Sequence, residues 1–200
     1  MIYDKIFNPN SPNDYFVGYK DYLKNILDKT DWAAVSKVAH MIIDAHKQNK
    51  TVYIIGNGGS FSTAAHFVCD LSKGTKLAGK KAIKSQALDS TAIYTAYVND
   101  VAFEDVYVEQ LSNVEPGDML ICISCSGNSP NIVKALNVVN KKGVQTVAFS
   151  GFDGGAIATD AAVNITVPSV KGEYGPVEDV HTVFMHMITT YIKKVFESEA

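Results

Sequence analysis

The chain has 200 residues, 46% of them hydrophobic and 20% charged, and a formal net charge of -3 at pH 7. That is the length and balance of one folded domain with a substantial core, and it argues against a nucleic-acid or membrane surface built on bulk positive charge. All 18 basic residues are lysines, so bidentate guanidinium recognition is excluded and a phosphate must be held by backbone N–H groups, hydroxyls and lysines.

The N-terminal MIYDKIFNPNSPNDYF has neither a basic nor an apolar leader region, and no apolar run approaches the ~18 residues of a membrane span. A cytoplasmic protein is expected. Helical patterns follow over 14–28 and 32–48, the second opening with Thr30 and Asp31 as candidate caps before WAAVSKVAHMIIDAH. They predict an N-terminal helical hairpin within residues 1–49.

From residue 50 the rhythm changes to short apolar runs: TVYII, AIKSQAL, DMLICIS, VQTVAFS and AVNITVP. Continuous runs of this kind, followed by glycine, serine or asparagine clusters and then helices, mark a parallel sheet buried on both faces. Helices are predicted over 60–73, 91–98, 103–112, 129–141 and 176–197. The fold class is therefore α/β, a doubly wound, five-stranded, mainly parallel sheet with helices on both faces. One domain is expected over 1–200, with the α/β core and C-terminal helix in 50–200. Ligands of such sheets lie outside the carboxyl ends of the strands, which draws attention to GNGGS at 56–60, LDSTA at 88–92, SCSGNS at 124–129 and SGFDGG at 150–155.

GNGGS follows a strand and opens a helix, so Asn57, Gly58, Gly59 and Ser60 can bring backbone N–H groups close to an anion. Phe61 stands where a dinucleotide fingerprint needs its third glycine, and no Gly-Lys-Ser/Thr completes a Walker A loop. In SCSGNS, Ser124, Ser126 and Ser129 can surround an oxyanion, and Pro130 suits the first turn of the next helix. Two such loops at one sheet edge can converge on one phosphate, although single loops of this type are usually turns with capping serines. No G-x-S-x-G elbow is present.

Chemistry-bearing side chains follow the first loop. His66 and Asp70, four apart, share one helix face. The C-terminal helix adds Glu178, Asp179, His181 and His186. Asp179 and His186 are nearly in phase, whereas Glu178 is about 80° from His186. Should these helices meet, their histidines and carboxylates can bind Zn²⁺ or transfer protons. Cys122 and Cys125 form a C-x-x-C pair, a redox or half-zinc pattern, but Cys122 lies in an apolar run and no second pair exists. Cys69, His40 and His46 read as packing or surface residues.

Taken in order, GNGGS with His66 and Asp70, VNDVAFEDVYVEQL, GDMLICISCSGNSPNIVKAL, FSGFDGG and VEDVHTVFMH resemble the sugar isomerase (SIS) domain family, and within it the phosphoheptose isomerases, over about residues 50–190. The resemblance implies isomerisation of sedoheptulose 7-phosphate to D-glycero-D-manno-heptose 7-phosphate through an enediol(ate), in nucleotide-activated heptose synthesis for surface polysaccharide. By the same resemblance, Ser60, Ser124, Cys125, Ser126 and Ser129 hold phosphate, Cys125 replacing a usual threonine, while Asn57 and Asp100 line the sugar site.

Asp70 stands where the family has a catalytic glutamate, His186 matches the catalytic histidine, and Glu178 replaces a glutamine that joins His66 in the metal site. His66, Asp70, Glu178 and His186 are thus the implied ligands of Zn²⁺ or another divalent cation, and Asp70, Glu178 and His186 the implied catalytic set. A homotetramer with interfacial sites is implied, acting on a phosphorylated sugar with no nucleic-acid or membrane partner. The family also contains non-catalytic phosphosugar sensors and adaptors that bind a replication initiator, and isomerases of other sugars such as arabinose 5-phosphate.

Overall fold

A computed structural model describes residues 11–199; the part of the leader reading that concerns residues 1–10 lies outside them. Helix α1 (Pro12–Asp28) begins where the Ser11 hydroxyl accepts the Asp14 N–H at 3.1 Å, with proline in the first turn. Of the two expected caps on α2 (Trp32–Lys47), Asp31 does the capping, accepting from Ala33 and Ala34 N–H. The Thr30 hydroxyl turns back to the Ile26 carbonyl at 3.1 Å and closes α1 instead. Two N-terminal helices are present as expected, and each packs against the C-terminal helix.

The remaining elements in chain order are β1 (Val52–Gly56), α3 (Gly59–Cys69), β2 (Ser85–Ala87), α4 (Thr91–Asp100), α5 (Val106–Gln110), β3 (Met119–Ser124), α6 (Pro130–Asn140), β4 (Gln145–Gly151), α7 (Gly155–Asp160), β5 (Val163–Val167) and α8 (Tyr174–Ser198). The five strands pair in the order β2-β1-β3-β4-β5, and every pairing is parallel. The chain leaves β1 for β2 on one side and returns to β3 on the other. The switch point, where such sheets open a crevice, therefore lies between the carboxyl ends of β1 and β3.

Alternation along the strands feeds two apolar layers. Ile54, Ile121, Ile123, Val147 and Phe149 pack with α1, α2, α3 and α8; Ile55, Leu120, Cys122 and Ala148 pack under α5 and α6. Phe149 stacks on Phe67 at 6.3 Å and meets Phe184 edge-on at 5.8 Å, which ties β4 to α3 and α8. Cys122 and Cys125 fall into opposite layers and are free thiols, so the C-x-x-C spacing is a consequence of strand position. Burial raises the Cys122 thiol pKa strongly, as befits an inert core residue.

Three helical elements differ from expectation, and the AIKSQAL strand shortens to Ser85–Ala87. The 60–73 helix is α only through Cys69 and then widens into a π-turn over Asp70–Gly74. The 103–112 helix is a 3₁₀ turn at Phe103–Asp105 followed by the short α5. Helix α7, which the sequence reading leaves as loop, is held by the Ile157 N–H to the Gly127 carbonyl at 3.1 Å and the Ala156 N–H to Asn128 Oδ1 at 3.0 Å. No helix among the described residues is long and apolar enough to cross a membrane.

Candidate active site

Both glycine and serine loops end at the switch point and line one cavity of about 320 Å³. Asn57, Gly58, Gly59 and Ser60 enter it from the β1 side, and Ser124, Cys125, Ser126 and Ser129 from the β3 side. Gly58 holds φ +55°, a conformation open to glycine, and turns the chain sharply into α3. Gly56 is required for another reason: a Cβ there would stand 2.5 Å from the Ser60 carbonyl oxygen. Ser124 and Ser129 hydroxyls approach to 3.4 Å, closing the second loop on itself.

The loops are braced from behind. Asn57 and buried Asn131 exchange amide hydrogen bonds, both 2.9 Å, and the Tyr94 hydroxyl donates to Asn57 Oδ1 at 3.3 Å. The buried Tyr107 hydroxyl donates to the Gly56 carbonyl. On the other side Gly127, at φ +64°, lies against Gly154 and Gly155 so closely that a Cβ would come within 1.9 Å of the Gly154 oxygen. Burial first, then the Glu178 charge, pushes the Cys125 thiol up to about 11, so the residue standing for a threonine is a neutral thiol at neutral pH.

Glu178 belongs to this cavity. Its two carboxylate oxygens lie 2.4 Å from where a Cβ on Gly59 would stand. Burial first, and neighbouring Asp179 second, raise its carboxyl pKa. Asp179 itself turns away and accepts from the Tyr19 hydroxyl at 2.5 Å.

The second cluster lies farther along the same two helices. His66 Nε2 and His186 Nε2 stand 3.8 and 3.7 Å from one oxygen of Asp70, and the two rings are 5.1 Å apart. One ligand atom from each of the three lies within 4.8 Å of the others, a spacing that fits one metal ion with mixed nitrogen and oxygen donors. Asp70 ends the regular part of α3, its N–H still bonded to the His66 carbonyl, and the π-turn begins at it.

Of the four expected ligands, His66, Asp70 and His186 stand together, while Glu178, eight residues before His186 on α8, faces the glycine and serine loops. Asp100 is also separate: it ends α4 exposed, accepting from Asn99 Nδ2 at 2.7 Å, and does not line the cavity. Tyr174 joins the cavity rim, half-exposed and edge-on to Phe152 at 5.3 Å, a residue that no sequence pattern singles out. His181 is wholly buried, its Nε2 donating to the Ser150 carbonyl at 3.1 Å, and it anchors α8 on β4.

The model of the SIS domain matches residues 14–151. Phosphoheptose isomerase of Citrifermentans bemidjiense is 33% identical over 163 residues, covering 80% of this chain and 83% of that protein. The Helicobacter pylori phosphoheptose isomerase is 32% identical over 184 residues, 90% of this chain and 93% of its own. Among solved structures, phosphoheptose isomerase from Neisseria gonorrhoeae superposes with a TM-score of 0.77 at 25% identity, over 89% of this chain and 92% of that one. The enzyme from Francisella tularensis shares the fold with a TM-score of 0.81 at 23% identity, over 91% and 96%. The chain belongs to the SIS domain family, on its phosphoheptose isomerase branch.

Proposed function

We propose that the chain is a phosphosugar aldose-ketose isomerase whose substrate is sedoheptulose 7-phosphate and whose product is D-glycero-D-manno-heptose 7-phosphate. The observation that carries this reading is the pairing of two anion loops with a separate His66, Asp70 and His186 cluster on the same helix pair. Ser60, Ser124, Ser126 and Ser129, with the N–H groups opening α3, hold the phosphate. That contact supplies binding energy away from the reacting carbons. Asp70 takes the proton from the carbon beside the carbonyl, and His186, 3.7 Å from it, moves protons to and from the sugar oxygens so that the enediol(ate) collapses either way.

His66, Asp70 and His186 are the residues that would hold Zn²⁺ or a similar ion. When bound, the ion polarises the carbonyl and stabilises negative charge on oxygen. A sensor or adaptor of the same fold needs the phosphate loops alone, so the three-residue cluster favours the enzyme.

Association into a homotetramer with interfacial sites is part of the proposal. Helix α4 carries no buried residue and exposes Ile93 and Val98, with Val101 and Phe103 just after it. This is the face through which Asp100 would reach a neighbouring site. The test is conversion of sedoheptulose 7-phosphate followed by NMR. Turnover in the wild type, lost by 10²-fold or more in Asp70→Asn and in His186→Ala with phosphosugar binding kept, is expected. Unchanged turnover in either variant overturns the assignment.

A further inference from the structure

Five of the chain's 18 lysines converge at the end of the strands opposite the serine loops. A cavity of about 570 Å³, in the size range of small-molecule sites, is lined by Lys47, Lys50, Lys80, Lys81 and Lys84 against one carboxylate, Glu199. Lys50 comes just before β1 and Lys84 just before β2, whereas GNGGS follows β1. The five residues of β1, about 16 Å, therefore separate the two places.

Lysines on a protein surface are usually a solvated face, and three of these five do have local partners. Lys47 pairs with Glu199 at 3.2 Å, Lys50 with Glu115 at 3.6 Å, and Lys84 donates to the Asn49 carbonyl at 3.2 Å. Lys80 and Lys81 have no acidic partner among the described residues. A tight turn delivers them: the Lys80 N–H returns to the Leu77 carbonyl at 3.2 Å with Gly79 at φ +73°. The convergence of like charges in a chain of net charge -3 is a local cost that a bound anion relieves.

One wall is apolar. His46 and Phe196 pack ring against ring at 5.0 Å, with Leu77 beside them. Burial first, and the Lys81 charge second, lower the His46 pKa, so this wall is neutral at neutral pH and offers a flat surface.

We propose that this cavity is a second anion site, one that binds an oligophosphate chain, and that a nucleoside di- or triphosphate is the class of ligand it takes. Its phosphates meet Lys80, Lys81 and Lys84 while the base lies against the His46 and Phe196 rings. The site is independent of the isomerase assignment.

The test is calorimetric titration of the full chain with ATP, tripolyphosphate and inorganic phosphate, in metal-free buffer at low ionic strength. Saturable binding of ATP is expected, weakened on the order of 10-fold in Lys80→Gln/Lys81→Gln. Phe196→Ala should weaken ATP and leave tripolyphosphate unchanged. Both variants are checked for folding by circular dichroism, and Lys24→Gln, on α1 and outside the cavity lining, serves as the charge control. Absence of saturable binding for both ATP and tripolyphosphate overturns the proposal. So does binding that survives Lys80→Gln/Lys81→Gln but is lost in Ser126→Ala, which assigns it to the serine loops. Equal affinity for ATP and tripolyphosphate overturns the nucleoside assignment.

Discussion

Replacing Glu178 by glutamine is expected to tighten the grip on phosphate. The carboxylate shares the cavity of the two anion loops and lies against Gly59, at the start of α3, where a phosphate also seeks N–H groups. Two unit charges about 6 Å apart repel by about 0.7 kcal/mol in water and about 3 kcal/mol at an effective dielectric of 20. A half-buried cavity lies between these limits, so loss of the charge should strengthen phosphosugar binding on the order of 10-fold.

The sign with pH follows from the raised pKa. Glu178 takes up its proton at a higher pH than an ordinary glutamate, so its repulsion fades as pH falls through that raised value. The phosphate titrates too, and the ratio of wild-type to Glu178→Gln dissociation constants cancels that contribution. Calorimetric titration with sedoheptulose 7-phosphate from pH 8 to pH 5 should show a gap that is widest at high pH and low salt and closes toward acid. Equal constants at pH 8, or weaker binding by the glutamine variant, would refute the electrostatic reasoning. Turnover kept in the same variant would leave Asp70 as the proton acceptor.

Zinc supplied at 100 times its dissociation constant should stabilise the fold by about 2.7 kcal/mol, read as a thermal midpoint raised by a few degrees. His66→Ala and His186→Ala should each abolish the shift, and its persistence in both places the ion elsewhere. His181, whose pKa burial pulls down to about 4, stays neutral in the fold while the unfolded chain binds its proton near pH 6.5. Its contribution is present in full above about pH 6.5 and is lost as pH falls toward about 4, on the order of 3 kcal/mol in all. Urea midpoints across that window should fall more steeply for the wild type than for His181→Leu, and parallel curves refute it. Gly127→Ala forces a side chain to φ +64° and within 1.9 Å of the Gly154 oxygen, so it should cost about 3 kcal/mol or more and weaken phosphosugar binding. A denaturant midpoint within about 1 kcal/mol of wild type counts against that packing.

The strands were legible because a parallel strand buried on both faces needs a continuous apolar run, and MLICIS and TVAFS are such runs. The edge strand was harder. AIKSQAL shrinks to Ser85–Ala87, since one open side demands fewer apolar residues and a partner only along β1. Helix α7 could not be read, because GAIATD is too short to show a 3.6-residue period and opens between two glycines at positive φ. Its existence depends on Gly127 and Asn128, almost thirty residues upstream. Tyr94, Asn131 and Tyr174 were invisible for the same reason: each reaches the loops only through tertiary packing.

His66 and Asp70 lay within one turn of a single helix, so their spacing sufficed to put them on one face. Joining His186 to them required α8 to run beside α3, which no local pattern encodes. The contacts of Gly59 with Glu178 and of Asp70 with His186 show that the two helices run side by side in the same direction. Along such a pair, sequence distance becomes distance from the switch point. Glu178 then lies at the loop end and His186 about two turns away, the Glu178 carboxylate facing Gly59 and the His186 ring facing Asp70. A carboxylate at position 178 therefore acts first on the charge in the loop cavity, and the three-residue cluster has a carboxylate of its own in Asp70.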